Sequence, residues 1–260
     1  MERFRRPAGP SASRDDEQMI YGIHPVTEAL RAGKEFDRVF IHRGAKGEGI
    51  LQLKKTLKDH GISWQEVPAE KLDRFTRKNH QDIVAFISPI AYQPLEEIVQ
   101  GVFEKGVTPL FLILDRITDV RNFGAIARTA ECAGVHAIII PQRGAASVTA
   151  DALRTSAGAL SRIPVCRVRD LRSAALYLRD SGIVLVAATE KASDLHFNTD
   201  LATPLAVVMG SEEDGISPEM MRTCDRLLRI PMLGSVGSLN VSVAAGILLF
   251  EVVRQRMQPN

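Results

Sequence analysis

Three stretches of this sequence gather side chains able to hold a polar ligand and stabilise charge. The first is Leu114-Asp-Arg-Ile-Thr-Asp-Val-Arg-Asn-Phe-Gly-Ala-Ile-Ala-Arg-Thr-Ala, the second Val208-Met-Gly-Ser-Glu-Glu-Asp-Gly-Ile-Ser, and the third Arg229-Ile-Pro-Met-Leu-Gly-Ser-Val-Gly-Ser-Leu-Asn-Val-Ser-Val-Ala. Asn122 stands before a helical pattern that Phe123 begins, where an asparagine caps by accepting a backbone N–H. Arg128 lies six residues on, about 600° around such a helix, and projects from a different face. Glu212 opens an acidic run, which suits either a solvated surface or a carboxylate that takes backbone N–H groups and holds a turn. Ser238 and Asn240 precede a long apolar segment and are candidate caps. Gly210, Gly234 and Gly237 permit positive φ or close backbone approach, selected by a tight turn or by a bound cofactor.

Other chemistries lack their residues. No Gly-x-x-x-x-Gly-Lys-Ser/Thr phosphate loop and no Gly-x-Gly-x-x-Gly occurs, which argues against nucleotide hydrolysis and ordinary dinucleotide chemistry. His24, His42, His60, His80, His136 and His196 form no pair at metal spacing, so no metal is expected. His24, before Pro25, reads as a turn residue. Cys132, Cys166 and Cys224 are far apart and odd in number; burial, rather than a disulfide or a metal clip, is the expected fate of each.

The elements that must position these residues follow from hydropathy. The unalternated runs Leu110–Leu114, Ala137–Ile140, Ile183–Ala187, Leu205–Met209 and Leu227–Ile230 suit strands covered on both faces. Helical patterns at 123–133, 149–159, 170–180 and 217–224 lie between them, the rhythm of a parallel α/β sheet. Each of the three stretches thus follows a strand, where such sheets bind ligands. The last helix, Val241 to Arg256, is apolar nearly all round at first, so something is expected to sandwich it, for which a dimer partner would serve. Its apolar run is far short of the roughly 20 residues that span a bilayer.

A smaller α/β pattern precedes this one. Arg38–His42, Ser63–Val67 and Ile83–Ile87 read as strands, alternating with helices at Ile50–His60 and Ala69–Thr76. The organisation expected is a disordered arm at 1–17, a small domain at 18–88, a Pro- and Gly-punctuated linker at 89–108 and a larger domain at 109–257. Charge adds a weak pointer to nucleic acid. Residues 18–90 hold 12 Lys/Arg against 9 Asp/Glu, and of the 17 basic residues beyond them 15 are arginine, the side chain suited to bidentate phosphate contact. Arg143, Arg154 and Arg162 suit a solvent-facing helix and an RNA-facing one equally. With no apolar leader at the start, the expected location is the cytoplasm.

The three stretches together resemble the three motifs of the SpoU (TrmH) family of RNA ribose 2'-O-methyltransferases, in the SPOUT superfamily, over residues 109–257. Tyr21-Gly-Ile-His-Pro-Val-Thr-Glu-Ala-Leu resembles the family's L30e-like substrate-binding domain. The resemblance implies a trefoil-knotted α/β methyltransferase domain with a parallel sheet and a small N-terminal L30e-like domain. It implies S-adenosylmethionine as cofactor, a ribosomal RNA partner with a guanosine ribose of 23S RNA as target, and a homodimer whose sites form at the subunit interface. Transfer-RNA methylation and RNA binding without catalysis are the alternatives. Position by position, it assigns catalysis to Asn122, Arg128, Glu212, Ser238 and Asn240, with Asn122 orienting Arg128. It assigns the cofactor to Gly210, Ile230 and Leu239, joined by Met232 and Thr189. Arg128 would take the 2'-hydroxyl proton or, as a charged guanidinium, stabilise developing alkoxide charge.

Overall fold

A computed structural model describes residues 19–258, which divide into two units between Pro89 and Ile90. The expected disordered arm at 1–17 lies outside the described residues. In the first unit the chain runs β1 (Met19–Tyr21), α1 (Ile23–Arg31), β2 (Phe36–His42), α2 (Glu48–Asp59), β3 (Gln65–Val67), α3 (Ala69–Phe75) and β4 (Ile83–Ile87). The sheet order is β1-β4-β2-β3, with β4 antiparallel to β1 and β2, and β3 parallel to β2. Strand alternation separates two cores. Val39 and Ile41 pack with Val26, Leu30, Leu53 and Leu57 of α1 and α2, whereas Phe40 packs on the other face with Leu72 of α3. His24 lies within α1, not in a turn, because Pro25 after it occupies a first-turn position that needs no amide hydrogen.

The second unit begins before the expected boundary. Residues 89–108 are not a bare linker: α4 (Leu95–Glu104) occupies half of them and buries Leu95, Val99 and Val102. Its short apolar pattern Leu95-Glu-Glu-Ile-Val is amphipathic, and the sheet beside it supplies the surface it covers. There follow β5 (Leu110–Asp115), α5 (Val120–Cys132), β6 (Ala137–Pro141), α6 (Ala150–Thr155), β7 (Val165–Val168), α7 (Leu171–Asp180), β8 (Val184–Ala188), β9 (Asp194–Leu195), β10 (Leu205–Gly210), α8 (Pro218–Thr223), β11 (Arg226–Arg229) and α9 (Val241–Met257). The short strands β7 and β9 carry too little apolar pattern to stand out in the sequence.

The sheet order is β7-β6-β5-β10-β8-β11-β9, and every neighbouring pair is parallel. Both faces are covered, as the continuous apolar runs require. Leu110, Leu112 and Leu114 of β5 face a core shared with α5, α6 and α9; Phe111 and Ile113 face one shared with α4, α7 and α8. The chain winds outward from β5 through β6 to β7, then returns to build β8, β10 and β11 on the other side. The crevice beyond the carboxyl ends of β5 and β10 is therefore a topological switch point, the usual ligand position in such sheets.

Helix α9 buries Val241, Ala245, Leu248, Leu249 and Val252, yet Val243, Phe250 and Met257 remain exposed on it. Of the cysteines, Cys166 is buried and Cys224 half-buried, but Cys132 is exposed, because it ends α5 on the side away from the core. Among the described residues no helix is long and apolar enough to cross a membrane, and no cluster of His, Cys, Asp or Glu has the makings of a metal site.

Candidate active site

The first two motif stretches are tied together where their strands end. Asp115, the last residue of β5, is buried, and its Oδ2 accepts from the backbone N–H of Ser217 at 2.7 Å. Ser217 in turn caps α8, its Oγ accepting from the N–H of Met220. Arg116 has a φ of +60°, a left-handed conformation that costs a non-glycine residue free energy unless its surroundings hold it. Here they do: its guanidinium donates to the Gly215 carbonyl at 3.0 Å and to Asp214 at 3.3 Å. The loop after β10 folds back on itself through paired bonds between Ser211 and Gly215. That turn leaves no room at Gly210, where a Cβ would lie 2.1 Å from the Gly215 carbonyl carbon. Asp115 and Arg116 belong to the first stretch, but nothing in their spacing reveals a partner about 100 positions away.

Helix α5 starts at Val120, earlier than its apolar pattern suggests, and Asp119 is its cap, accepting from the N–H groups of Arg121 and Asn122 at 2.8 Å each. The alternative that Asn122 merely caps a helix starting at Phe123 is thereby set aside: Asp119 takes the capping role and frees the Asn122 side chain. That side chain reaches the other two motifs. Its Nδ2 donates to Glu212 Oε1 at 3.2 Å, and its Oδ1 accepts from Asn240 Nδ2 at 3.0 Å.

Glu212 Oε1 also accepts from Asn240 Nδ2 at 2.6 Å and from the backbone N–H of Val241 at 3.2 Å. A carboxylate at the start of α9 also meets the positive end of the helix. Asn240 caps α9 through Oδ1, which accepts from Ser242 N–H at 2.9 Å. Asn240 is therefore both a cap and the joint of the network, with both amide hydrogens and its oxygen in use. Glu212 holds the start of α9 and the two asparagines rather than the backbone of its own turn.

A cavity of about 430 Å³ opens beside this network. Thr189, Gly210, Ile230, Met232, Ser238 and Leu239, each expected at the site, line it, together with Glu190, Lys191 and Glu212. It is within the ~300–1,000 Å³ usual for small-molecule pockets. Its wall combines the apolar Met209, Ile230, Met232 and Leu239 with charged groups. A second cavity, of about 510 Å³, adjoins it across Glu212 and is lined by Arg116, Asn122 and Gly144. Gly234 and Gly237 have neither positive φ nor atoms that a Cβ would meet, so no turn demands them.

Arg128 lines neither cavity. It is exposed on α5, six residues from Asn122, and among the described residues its side chain has no hydrogen bond or ion pair. The expectation that Asn122 orients Arg128 does not hold within the chain: the two side chains leave α5 about 240° apart, and Asn122 is engaged by Glu212 and Asn240.

The model of the SpoU rRNA methylase family matches residues 109–250, more than half of the chain. The chain belongs to the SpoU rRNA methylase family. A second model, RNA 2'-O ribose methyltransferase substrate binding, matches residues 19–93 of this SpoU methylase. Among curated relatives, the 23S rRNA (guanosine-2'-O-)-methyltransferase RlmB of Photobacterium profundum is 40% identical over 240 residues, 92% of this chain and 98% of its own. RlmB of Vibrio vulnificus is 38% identical over 242 residues, with the same coverage. Among solved structures, the SpoU methyltransferase AviRb from Streptomyces viridochromogenes in complex with AdoMet aligns with a TM-score of 0.58 at 27% identity. That alignment covers 92% of this chain and 90% of AviRb. This SpoU methylase is accordingly an enzyme, an RNA ribose 2'-O-methyltransferase, and S-adenosylmethionine is the cofactor of its family.

Proposed function

We propose that the chain methylates the ribose 2'-hydroxyl of a guanosine in 23S ribosomal RNA. The observation that carries this reading is the single cavity onto which all the expected cofactor residues open, bordered at Glu212 by the hydrogen bonds that Glu212 accepts from Asn122 and Asn240. The lining fits S-adenosylmethionine by its chemistry: apolar Ile230, Met232 and Leu239 suit an adenine, and Glu190, Lys191 and Glu213 suit a zwitterionic tail. When bound, the cofactor supplies an electrophilic methyl group on a sulfonium. The relatives named RlmB, matched over nearly their whole length, point to the 23S guanosine.

The protein's own task is then mostly positioning, since holding reactants at near-attack geometry is worth roughly 7–11 kcal/mol. Asn122, Glu212 and Asn240 are positioning residues. They lock the loops after β5 and β10 and the start of α9 into one wall, with Ser238 presented from the third loop. Arg128 acts on the RNA side, binding phosphate next to the reactive hydroxyl and stabilising developing negative charge there. Because it lies outside the cavity of its own chain, it serves the cavity of a second copy. A homodimer built on the exposed Val243 and Phe250 of α9 supplies that copy and covers the last helix. The first unit selects the RNA, since sequence-specific RNA recognition works through loops and unstacked bases that an appended domain can reach.

Mapping 2'-O-methyl groups in 23S RNA from a strain lacking the gene tests the proposal. One guanosine should lose its methyl group and regain it on complementation. Intact 23S modification with a missing methyl group in transfer RNA would assign the enzyme to the other substrate, and no loss in either pool would leave it without a catalytic role.

A further inference from the structure

Away from the cofactor cavity, the carboxyl ends of β7, β6 and β5 carry a set of arginines that the fold itself does not use. Arg169 follows β7, Arg143 follows β6 and Arg121 lies in the first turn of α5, the helix after β5, and all three are exposed. Among the described residues none of these side chains has a hydrogen bond or ion pair. Between each of these strands and its next helix the only carboxylates are Asp119 and Asp170, and both are helix caps occupied by backbone N–H groups. The segment after β6, residues 142–149, has none at all. Other arginines of this unit differ: Arg154 pairs with Asp151, Arg162 lies 3.9 Å from Glu131, and Arg256 donates to the carbonyls of Thr108, Pro109 and Thr203.

The placement is linear. Because β7, β6, β5 and β10 are successive neighbours, their ends are about 4.8 Å apart and span roughly 14 Å. At the far end a depression of about 510 Å³ is lined by Gln93, Arg167, Arg169 and Tyr177. At the near end lies the cavity of Arg116, Asn122 and Gly144, which borders Glu212. Helices α5 and α7 begin along the same line and add the positive ends of their dipoles. No large apolar side chain is exposed along it, so it lacks the buried anchors on which a protein interface depends.

We propose that the carboxyl ends of β7, β6 and β5 form a track for the phosphate backbone of the unpaired RNA strand flanking the methylated nucleotide. Arg169, Arg143 and Arg121 meet phosphates in turn, leading the strand toward the cofactor cavity. Arginine suits this role because its planar fork binds phosphate oxygens two at a time. The inference rests on the reading of the chain as an RNA methyltransferase of ribosomal RNA, and it adds which face of the sheet the substrate crosses.

The test uses the full-length chain and an unmodified 23S RNA transcript, with binding measured across salt concentrations and methyl transfer by steady-state kinetics. Arg143→Gln and Arg169→Gln should each lower the slope of log affinity against log salt by about 0.7, the value for one phosphate of a single strand. KM for the RNA should rise several-fold in each, and multiplicatively in the double variant, while kcat and cofactor affinity hold. Arg154→Gln, whose charge is already paired, should change neither slope nor KM. A double variant with wild-type slope and KM overturns the track, and so does an equal loss in Arg154→Gln, since charge anywhere on the surface would then count alike. A wild-type chain that leaves the transcript unmethylated overturns the substrate reading beneath the track, and the track with it.

Discussion

Asn240 and Asn122, 118 positions apart, are joined by a hydrogen bond of 3.0 Å from the Nδ2 of the first to the Oδ1 of the second. The bond connects the cap of the last helix to the first turn of the helix after β5, and Glu212 closes the triangle by accepting from both side chains. Three loops that no local interaction would bring together are thus held by one set of side-chain amides and one carboxylate.

Glu212 is the common acceptor, so Glu212→Ala leaves the Asn122 amide, the Asn240 amide and the Val241 N–H without it. A hydrogen bond to a charged group is worth about 1.5–3 kcal/mol, discounted here for exposure. Cofactor affinity by titration calorimetry should fall about tenfold or more, with the thermal midpoint lowered by only a few degrees. Glu212→Gln, which keeps an acceptor oxygen, should recover part of the loss. Wild-type affinity in both variants would remove the network from the site.

Gly210 and Gly237 separate two reasons for a glycine. Gly210→Ala places a methyl group against the Gly215 backbone, which no rotamer relieves, so the loop must move. The variant should lose several kcal/mol of stability in denaturant titrations, together with cofactor binding. Gly237→Ala meets no atom of the chain. It should unfold like wild type, and a loss of cofactor affinity in it would show that the bound molecule approaches that backbone.

Arg128→Ala should abolish turnover while cofactor affinity remains near wild type, because its task lies on the RNA. Arg128→Lys retains charge without the planar fork and should restore little. If the arginine serves a second subunit, mixing Arg128→Ala with a cofactor-site variant such as Glu212→Ala should regenerate activity in the mixed dimers. Substantial turnover in Arg128→Ala alone would end its catalytic assignment.

Removal of residues 1–89 takes away the first unit and leaves both cavity walls intact. Cofactor binding should persist and methylation of 23S RNA should be lost. Full activity of the shortened chain would place RNA selection in the second unit.

Burial pushes the thiols of Cys166 and Cys224 up to about 12. Through neutral pH they stay protonated, so a thiol-specific reagent should label only the exposed Cys132 on the native chain. Below about pH 9 both states hold these protons and the thiols contribute no pH dependence. Between about pH 9 and 12 the unfolded chain releases protons that the folded one keeps. Stability should therefore fall as pH rises, by up to about 1.4 kcal/mol per unit for each thiol. Denaturant titrations across that range check the slope, and rapid labelling of all three cysteines at pH 7.5 would contradict the burial.

Short-range patterns made much of this molecule legible. The run Leu110–Leu114 is a buried strand because continuous apolar side chains need cover on both faces, and the pattern ahead of Arg128 is a helix because its apolar residues recur at helical spacing. The site residues of the three motif stretches are named by their resemblance to the SpoU motifs, since their types alone suit caps, turns and solvated surface equally. Helix α4 is not legible within 89–108 because an amphipathic helix of ten residues shows its apolar face only against a neighbour, and that neighbour is a sheet formed later in the chain. The cap of α5 is ambiguous in the sequence because Asp119 and Asn122 both suit the role, and the engagement of Asn122 by Glu212 and Asn240 decides between them. Which strands lie side by side depends on the packing of helices on both faces, a sum over distant contacts that leaves no local trace. Strand order put β5 beside β10 and thereby brought three separate stretches of sequence together: the second and third line one cavity, the first lines its neighbour across Glu212, and Arg128 faces away from both.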